Sequence, residues 1–265
     1  MKIGIVGIGV VGEAVKYGFE KIGHRLLCHD IRLQTSLEDV LDAEICFLCL
    51  PTPSGENGEC DTKIVTKVID DLHLLEFGGI IAIKSTVVPG TTQDLIKQYS
   101  NDKICFVPEF LRERCASVDF IENHDVCIIG TENPEVYQKI VEAHGSLPET
   151  FQQLSPTEAE LSKYFNNIYN ATLITFANSF YEVCNSVGAD YTKVKNAATL
   201  RKHIEDIYLD CNINFRGFGG MCLPKDTKAI NALCLRKKLD VKFFQNLLNE
   251  NSKYEVTVYD GMREE

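Results

Sequence analysis

One cysteine of the chain stands in an unusual setting. The stretch GFGGMCLPKDTKAI (residues 217–230) places Cys222 between a run of glycines and a Pro-Lys-Asp sequence. Most cysteines of soluble proteins are small buried hydrophobic residues. A glycine run lets backbone approach a substrate, and a neighbouring cation such as Lys225 is expected to lower the pKa of a thiol. The residue types therefore favour covalent catalysis with Cys222 as the nucleophile.

A second group of residues is typical of phosphate binding. Gly7, Gly9 and Gly12 have the spacing G-x-G-x-x-G and lie between a predicted strand and a predicted helix. They permit a tight turn, close approach of backbone to a pyrophosphate and close packing of helix on strand. Asp30 ends the second predicted strand, where a carboxylate binds the ribose hydroxyls of NAD. The cofactor prediction is therefore NAD, although the nearby Arg32 would suit the 2′-phosphate of NADP.

Composition excludes several classes of function. The chain has 265 residues and is 45% hydrophobic, enough for one large domain or two of ordinary size. Its formal net charge is -11, from 27 Lys and Arg against 38 Asp and Glu. Binding to nucleic acid or to an anionic membrane needs clustered Lys and Arg, so we expect neither partner. No stretch approaches the length of a transmembrane helix.

The cysteines and histidines indicate a compartment and argue against a metal. The eleven cysteines are an odd number and scattered, and no signal peptide precedes the first glycine-rich strand, so we expect a reducing cytoplasm. The six histidines show no ligand spacing, so no zinc site is expected. The sequence contains no G-x-S-x-G motif, so a serine hydrolase of the α/β-hydrolase type is not indicated.

Residues 1–152 alternate apolar runs with segments of helical spacing. Near-continuous apolar runs are typical of parallel strands covered on both faces. The predicted strands are 2–7, 25–30, 45–50, 79–84, 103–108 and 126–130, with predicted helices at 62–76, 90–99 and 133–144. The pattern predicts an α/β domain: a Rossmann-like, doubly wound parallel sheet that binds NAD.

Residues 153–265 are predicted to form an all-helical domain built on one long central helix. SPTE (155–158) offers an N-cap serine, a proline at the first helical position and a glutamate that completes a capping box. An apolar stripe then runs to Val187, and Gly188 ends it. Further helices are predicted at 190–199, 226–238 and 240–252. The stripe indicates either a dimer interface along 155–187 or burial within one chain.

Five motifs occur together in a recognisable order. They are LPTP (50–53), KSTVVPGTT (84–92), VPEFLRE (107–113), EAELSKYFNNIYNA (158–171) and GFGGMCLPKDTKA (217–229). Over about residues 1 to 252 the chain resembles the UDP-glucose/GDP-mannose dehydrogenases. These enzymes oxidise the C6 alcohol of a nucleotide sugar twice, to the uronic acid. The resemblance implies a nucleotide-sugar substrate, UDP-glucose first among them, and a homodimer through the long helix.

The resemblance also implies roles for particular residues. Cys222 would capture the intermediate aldehyde as a thiohemiacetal, which is oxidised to a thioester and hydrolysed. Lys163 and Asn167 would bind the developing oxyanion, and Asp226 would position water or assist proton transfer. Glu109 would be the base for thioester hydrolysis. The expected catalytic set also contains Glu113 and Thr86, and the expected cofactor-binding set is Gly7, Gly9, Val11, Gly12, Asp30, Arg32, Thr52, Thr86, Glu113 and Lys225.

The chain departs from the family pattern at its end and in the thiol loop. Typical members continue into a third α/β domain that grips the nucleotide. Here the segment FFQNLLNENSKYE (243–255) is followed by ten residues, too few for such a domain, so we expect a short form. Met221 stands where serine is common, and Leu223 where phenylalanine is common. Two alternatives stay open: a two-electron dehydrogenase of a smaller hydroxy acid, and a non-catalytic NAD-binding remnant of the family.

Overall fold

A computed structural model describes residues 1–257. The strands are β1 (Lys2–Val6), β2 (Arg25–His29), β3 (Ile45–Leu48), β4 (Ile80–Ile83), β5 (Ile104–Phe106), β6 (Val126–Gly130) and β7 (Thr150–Leu154). The helices are α1 (Val10–Lys21), α2 (Lys63–Leu74), α3 (Thr91–Tyr99), α4 (Ala116–Glu122), α5 (Pro134–His144), α6 (Pro156–Ser186), α7 (Tyr191–Ala198), α8 (Leu223–Arg236) and α9 (Phe243–Asn251). Two 3₁₀ turns, Leu37–Val40 and Glu113–Cys115, complete the described elements.

All seven strands form one sheet in the order β2-β1-β3-β4-β5-β6-β7. The pairings from β2 to β5 are parallel, with Ile3 opposite Leu26 and Ile45. The predicted doubly wound parallel sheet is confirmed except at one pairing, where β6 runs antiparallel to β5; β7 then follows β6 in parallel. An apolar strand buried on both faces has the same composition in either direction. Strand direction was therefore not readable from hydrophobicity.

The sequence patterns did not predict two elements, one strand of the sheet (β7) and one helix packed on it (α4). Strand β7 is TFQQL, whose two glutamines are exposed, so it lacks the apolar run that marked the other strands. It lies at the edge of the sheet, where polar side chains are tolerated. Helix α4 has only seven residues, too few for a helical period to be visible. The remaining strands and helices were predicted to within a few residues.

Helices cover the sheet on both faces, as predicted for a doubly wound fold. One core cluster joins strand residues to Phe19 of α1, Phe120 of α4 and Ile140 of α5. A second cluster joins the opposite face to Ile69 of α2 and Leu95 of α3. Burial on both faces explains why β3 and β4 are fully buried along their length. Because β1 to β4 are parallel, their carboxyl ends lie at one edge of the sheet, where such folds bind ligands.

Helix α6 is the long helix that the sequence predicted. Ser155 Oγ accepts from the N–H of Glu158 at 3.4 Å, and the Glu158 carboxylate accepts from the Ser155 N–H at 2.9 Å, which confirms the capping box. Gly188 has a φ of +72°, the left-handed conformation expected of a residue that ends a helix. With 31 residues the helix is about 46 Å long.

The chain forms two compact units that divide within α6. The first comprises Met1–Pro53 and Cys60–Lys163, and the second comprises Ser54–Glu59 and the chain from Tyr164 onward. The predicted domain division after residue 152, before α6, stays a prediction. In the second unit a small core joins Ala177 and Cys184 of α6 to Tyr191 of α7 and to Leu209. Tyr191 also donates its hydroxyl to the carbonyl of Leu209 at 2.7 Å.

Candidate active site

The glycine turn after β1 has the geometry of a phosphate cradle. Gly7 has a φ of +91°, and a Cβ there would lie 2.4 Å from the carbonyl oxygen of Cys49. A Cβ on Gly12 would lie 2.0 Å from the carbonyl oxygen of Gly7. Gly9 caps α1, and a Cβ on it would meet nothing within 4 Å. The outer glycines are thus required by packing, whereas the middle one leaves open space at a helix N-terminus, which fits a pyrophosphate.

Asp30 follows β2 beside this turn. Its Oδ2 accepts from the N–H of Ile8 at 2.7 Å, and its Oδ1 accepts from Arg32 Nε at 2.9 Å and from the Arg32 N–H at 2.8 Å. The hydrogen bonds from Arg32 hold the pKa of the Asp30 carboxyl well below its usual range, against the effect of burial. Asp30 is therefore an anion that already acts as an acceptor, as ribose hydroxyls require. Arg32 neutralises it from an exposed position.

Two threonines of the expected cofactor set lie at the carboxyl edge of the sheet. Thr52 follows β3 and is buried, and Thr86 follows β4 and is half-buried. The thiol of Cys60 donates to the carbonyl oxygens of Thr86 at 3.2 Å and Thr52 at 3.8 Å, which ties the two segments together. Val11, in the first turn of α1, is partly buried.

Lys163 and Glu109 form an ion pair in the first unit. Lys163 Nζ lies 3.0 Å from Glu109 Oε1 and donates to the Glu109 carbonyl oxygen at 2.7 Å. The side chains are only 5% and 11% exposed, so this pair is shielded from water. Glu109 Oε2 also accepts from the N–H of Leu111 at 2.7 Å. The expected base and the ammonium expected to bind an oxyanion are thus held beside each other.

Asp119, which was not predicted as a site residue, binds Arg112 in the segment that follows Glu109. It accepts from Arg112 Nε at 3.0 Å, from the Arg112 N–H at 2.8 Å, and from Asn123 at 2.9 Å. Burial raises the pKa of Asp119, but the hydrogen bonds from Arg112 and Asn123 outweigh it and hold that pKa well below its usual range. Glu113, the next residue after Arg112, begins a 3₁₀ turn and is partly buried. A carboxylate seven residues after an arginine carried no sequence signal.

Cys222 lies at the N-terminus of α8 in the second unit. The sequence placed the helix start at residue 226, whereas α8 begins at Leu223 and makes Cys222 its N-cap. Pro224 lies in the first turn of this helix, where proline is tolerated. All eleven cysteines lie in the described part of the chain, and Cys222 alone is exposed. A helix N-terminus favours an anion such as a thiolate.

One turn after Cys222, two polar side chains bind Asp226. Asp226 is fully buried, and its Oδ1 accepts from Lys225 Nζ at 2.6 Å. Its Oδ2 accepts from Asn167 Nδ2, on α6, at 2.6 Å. Asn167 lies one helical turn after Lys163 on α6, as the spacing predicted. The second unit therefore brings Asn167, Lys225 and Asp226 together beside the thiol-bearing end of α8.

Other cysteines have the environment of buried hydrophobic residues. Cys46 and Cys49 have C-x-x-C spacing at the end of β3, but burial raises the pKa of Cys49 to about 12. Burial likewise raises the pKa of Cys127 to about 12. Within residues 1–257, no three His, Cys, Asp or Glu residues are grouped as a metal site. No helix in the same range is long and apolar enough to cross a membrane.

Comparison with family models identifies the class and then the family. The NAD binding domain of the UDP-glucose/GDP-mannose dehydrogenase family matches residues 31–147. Together with the glycine turn and Asp30, this match defines an NAD-binding protein of the dehydrogenase class. The central domain of the same family matches residues 157–253. The chain belongs to the UDP-glucose/GDP-mannose dehydrogenase family, as the five sequence motifs indicated.

Individual relatives agree with this assignment. The UDP-glucose 6-dehydrogenase AglM of Haloferax volcanii is 28% identical over 315 residues, covering 100% of this chain and 72% of the relative. The UDP-glucose 6-dehydrogenase of Rickettsia bellii is 32% identical, covering 82% of this chain and 51% of the relative. A solved UDP-glucose dehydrogenase from Pyrobaculum islandicum superimposes with a TM-score of 0.86 at 25% identity, covering 95% of this chain and 68% of that one.

Proposed function

We propose that this chain oxidises the C6 alcohol of a nucleotide sugar to the uronic acid in two steps, with UDP-glucose as the substrate. The observation that carries the proposal is Cys222, an exposed thiol at the N-terminus of α8, one turn before the Asp226 cluster. The names of the relatives, UDP-glucose 6-dehydrogenases, support the choice of sugar. NAD, when bound at the glycine turn, accepts one hydride in each step.

The thiol is needed between the two oxidations. The first removes a hydride from C6 and a proton from its hydroxyl, giving an aldehyde. The thiolate of Cys222 then forms an S–C6 bond, and the aldehyde oxygen becomes an oxyanion. Loss of the second hydride restores the carbonyl as a thioester. Water adds to the thioester, the S–C6 bond breaks, and the products are the carboxylate and the free thiol. One sugar and one water are consumed for two hydrides removed.

The surrounding residues supply charge and proton transfer. Lys163 and Asn167 are the proposed donors to the oxyanion, because an ammonium and a neutral amide stabilise negative charge without accepting a proton. Glu109 Oε1 accepts a hydrogen bond from Lys163 Nζ at 3.0 Å, and Glu109 is the proposed base that activates water. Asp226 holds both Asn167 and Lys225 by hydrogen bonds of 2.6 Å, so its proposed role is to orient these donors. Glu113 and Thr86 are proposed to contact substrate or cofactor.

We propose that α6 pairs with a second copy of the chain. The sequence left open whether the apolar stripe is buried within one chain. Ile168 of the stripe is buried, but most of its apolar side chains are exposed. Phe165 is 76% exposed, Phe176 is 56% exposed and Val187 is 74% exposed. The exposed stripe also includes Leu161, Tyr169, Phe180 and Val183. An apolar face along a 31-residue helix is larger than a monomer normally leaves in water, and a second α6 offers the same face. The cytoplasm is the proposed compartment, because no disulfide joins two of the eleven cysteines in residues 1–257.

The decisive experiment counts NADH formed per sugar consumed, with UDP-glucose and a panel of UDP- and GDP-sugars. We expect two NADH per sugar for the parent and loss of uronic acid formation, by at least 10³-fold on the scale of lost nucleophiles, for Cys222→Ser. Cys115→Ser is the control, because Cys115 is partly buried and a serine keeps its hydrogen bond to Asp119. One NADH per sugar, unchanged in Cys222→Ser, would contradict the thioester route.

A further inference from the structure

The backbone just before the thiol is held by a buried asparagine of α9. Asn251 Nδ2 donates to the carbonyl oxygen of Phe218 at 2.9 Å, and its Oδ1 accepts from the Phe218 N–H at 2.7 Å. Both residues are buried. One side-chain amide therefore satisfies both backbone polar groups of a single residue, as a neighbouring strand would. Neither group of Phe218 has water as an alternative partner, so the pairing fixes this point of the loop.

A second asparagine, on α6, holds the residues immediately before Phe218. Asn178 is 1% exposed, and its Nδ2 donates to the carbonyl oxygen of Ile174 at 2.9 Å, which fixes the orientation of the amide. Its Oδ1 accepts from Arg216 Nε at 2.7 Å and from the N–H of Gly217 at 3.1 Å. The two asparagines thus bind consecutive stretches of the same loop from two helices of the second unit.

Arg216, the residue before Gly217, is held through both its side chain and its backbone. Its guanidinium lies between two rings, 4.9 Å from the centre of Tyr181 and 4.6 Å from that of Tyr254. Its N–H donates to Thr257 Oγ1 at 2.9 Å. Residues 216, 217 and 218 are therefore each bound by a side chain from a separate part of the second unit. We call Asn178 and Asn251 the asparagine clamp.

The clamped loop leads directly to the thiol. Gly217 and Gly220 have φ values of +58° and +74°, so the chain turns between Phe218 and Cys222. At the far end the Cys222 carbonyl oxygen accepts from the N–H of Asp226 at 2.9 Å, and Asp226 is bound to Asn167 of α6. The segment carrying the thiol is consequently anchored at both ends by buried polar contacts.

We propose that Asn251 and Asn178 are positioning residues that keep the thiol of Cys222 at the N-terminus of α8. The inference rests on the proposed function, in which Cys222 is the nucleophile. A helix N-terminus carries a partial positive charge, which favours the thiolate form of a nearby thiol. Loosening the loop lets the thiol leave this position, and the fraction of thiolate at neutral pH then falls.

The reactivity of Cys222 can be measured without turnover. Trypsin cleaves after Arg216 and Lys225, and the peptide between them contains one cysteine. Alkylation of Cys222 by iodoacetamide is followed by mass spectrometry of this peptide between pH 5.5 and 10. The variants are Asn251→Ala and the milder Asn251→Asp, which keeps an acceptor for the Phe218 N–H and loses the donor to its carbonyl. The control is Asn133→Ala, which also removes a hydrogen bond between an asparagine side chain and backbone, here the N-cap bond from the Glu135 N–H in the first turn of α5.

The expected result is a change in the pH profile of alkylation. In the parent the midpoint lies below the value of about 8.5 for a free thiol. In both Asn251 variants it moves towards that value, and the alkylation rate at pH 7 falls at least fivefold. The turnover number falls in parallel, while KM for sugar and NAD stays within about twofold, because the clamp acts on the thiol. Asn133→Ala lowers the melting temperature and leaves the alkylation profile unchanged.

Two results overturn the inference. One is an unchanged midpoint in both Asn251 variants, even with a lower melting temperature, because the asparagine then serves stability alone. The other is an equal shift in the Asn133 control, because the effect then follows from general destabilisation. The proposed function fails separately: a parent that forms no NADH, combined with a shifted profile in the Asn251 variants, refutes the reaction and retains the clamp.

Discussion

At the scale of single residues, the ionised groups of this chain are held by partners that the sequence did not pair. Lys163 was expected to act with Asn167, yet its ammonium contacts Glu109. Asn167 in turn contacts Asp226. Each proposed acid, base or donor is therefore already oriented by another charged or polar group. Such orientation reduces the cost of ordering these side chains around a substrate.

The pair of Asp30 and Arg32 leads to a prediction about pH. Hydrogen bonds from Arg32 hold the pKa of Asp30 below its usual range, so the carboxylate stabilises the fold above the unfolded-state value of about 3.9. This stability is lost as the pH falls through the lower folded-state pKa. We expect Arg32→Ala to lower the free energy of unfolding above pH 5, only modestly because Arg32 is largely exposed, and by progressively less below pH 4.

Thermal or urea unfolding of both proteins between pH 3 and pH 7 tests this expectation. Arg25→Ala is the matched control, because Arg25 is an exposed arginine at the start of β2. A stability difference for Arg32→Ala that persists undiminished at pH 3 would show that Arg32 acts without the charge of Asp30.

At the scale of elements, the beginnings of two helices carry the candidate chemistry. Helix α1 begins at the glycine turn, and Cys222 is the N-cap of helix α8. Unpaired N–H groups at a helix N-terminus attract anions, and the proposed anions are a pyrophosphate at α1 and the Cys222 thiolate at α8. In both cases the chain approaches the helix through residues with positive φ, Gly7 and Gly220.

Two glycines of the turn, Gly9 and Gly12, are expected to respond differently to the methyl group of an alanine. Gly9→Ala should leave the melting temperature nearly unchanged, because its Cβ meets nothing within 4 Å. It should weaken NAD binding by about tenfold or more, because the methyl fills the space of the pyrophosphate. Gly12→Ala should destabilise the protein by about 1–3 kcal/mol, because its Cβ would overlap the backbone of Gly7.

Calorimetric titration with NAD and thermal unfolding without it separate these two effects. Gly78→Ala provides the control, because Gly78 is exposed and a Cβ there also meets nothing within 4 Å. Undiminished NAD affinity in Gly9→Ala would place the cofactor away from this turn.

At the scale of the whole molecule, the exposed face of α6 predicts a homodimer. Phe165→Glu with Phe176→Glu puts charges on the stripe and should shift the protein to monomers, raising the dimer dissociation constant by at least 10²-fold. Sedimentation analysis over a range of concentrations measures this directly. Asn185→Glu, an exposed change on the same helix, is the control and should stay dimeric. A monomeric parent at micromolar concentration would contradict the proposed dimer.

The sequence by itself determined most of the architecture, because periodicity and turn chemistry are local. The glycine spacing, the acid after β2 and the capping box at Ser155 all depend on residues within about thirty positions, and each lies where it was predicted. The apolar runs predicted six of the seven strands for the same reason. The motif order predicted the family.

Tertiary structure alone decided direction, exposure and pairing. The antiparallel direction of β6 and the edge position of the polar strand β7 depend on the neighbouring strands of the sheet. Hydrophobicity does not encode which strands are neighbours. Helical spacing revealed the stripe of α6 but not which side of it faces water. Asp119, Asn178 and Asn251 act on residues that lie between seven and 39 positions away, so no local pattern marks them. A buried polar side chain is identified by the partner that satisfies it, and that partner is known only once the chain has folded.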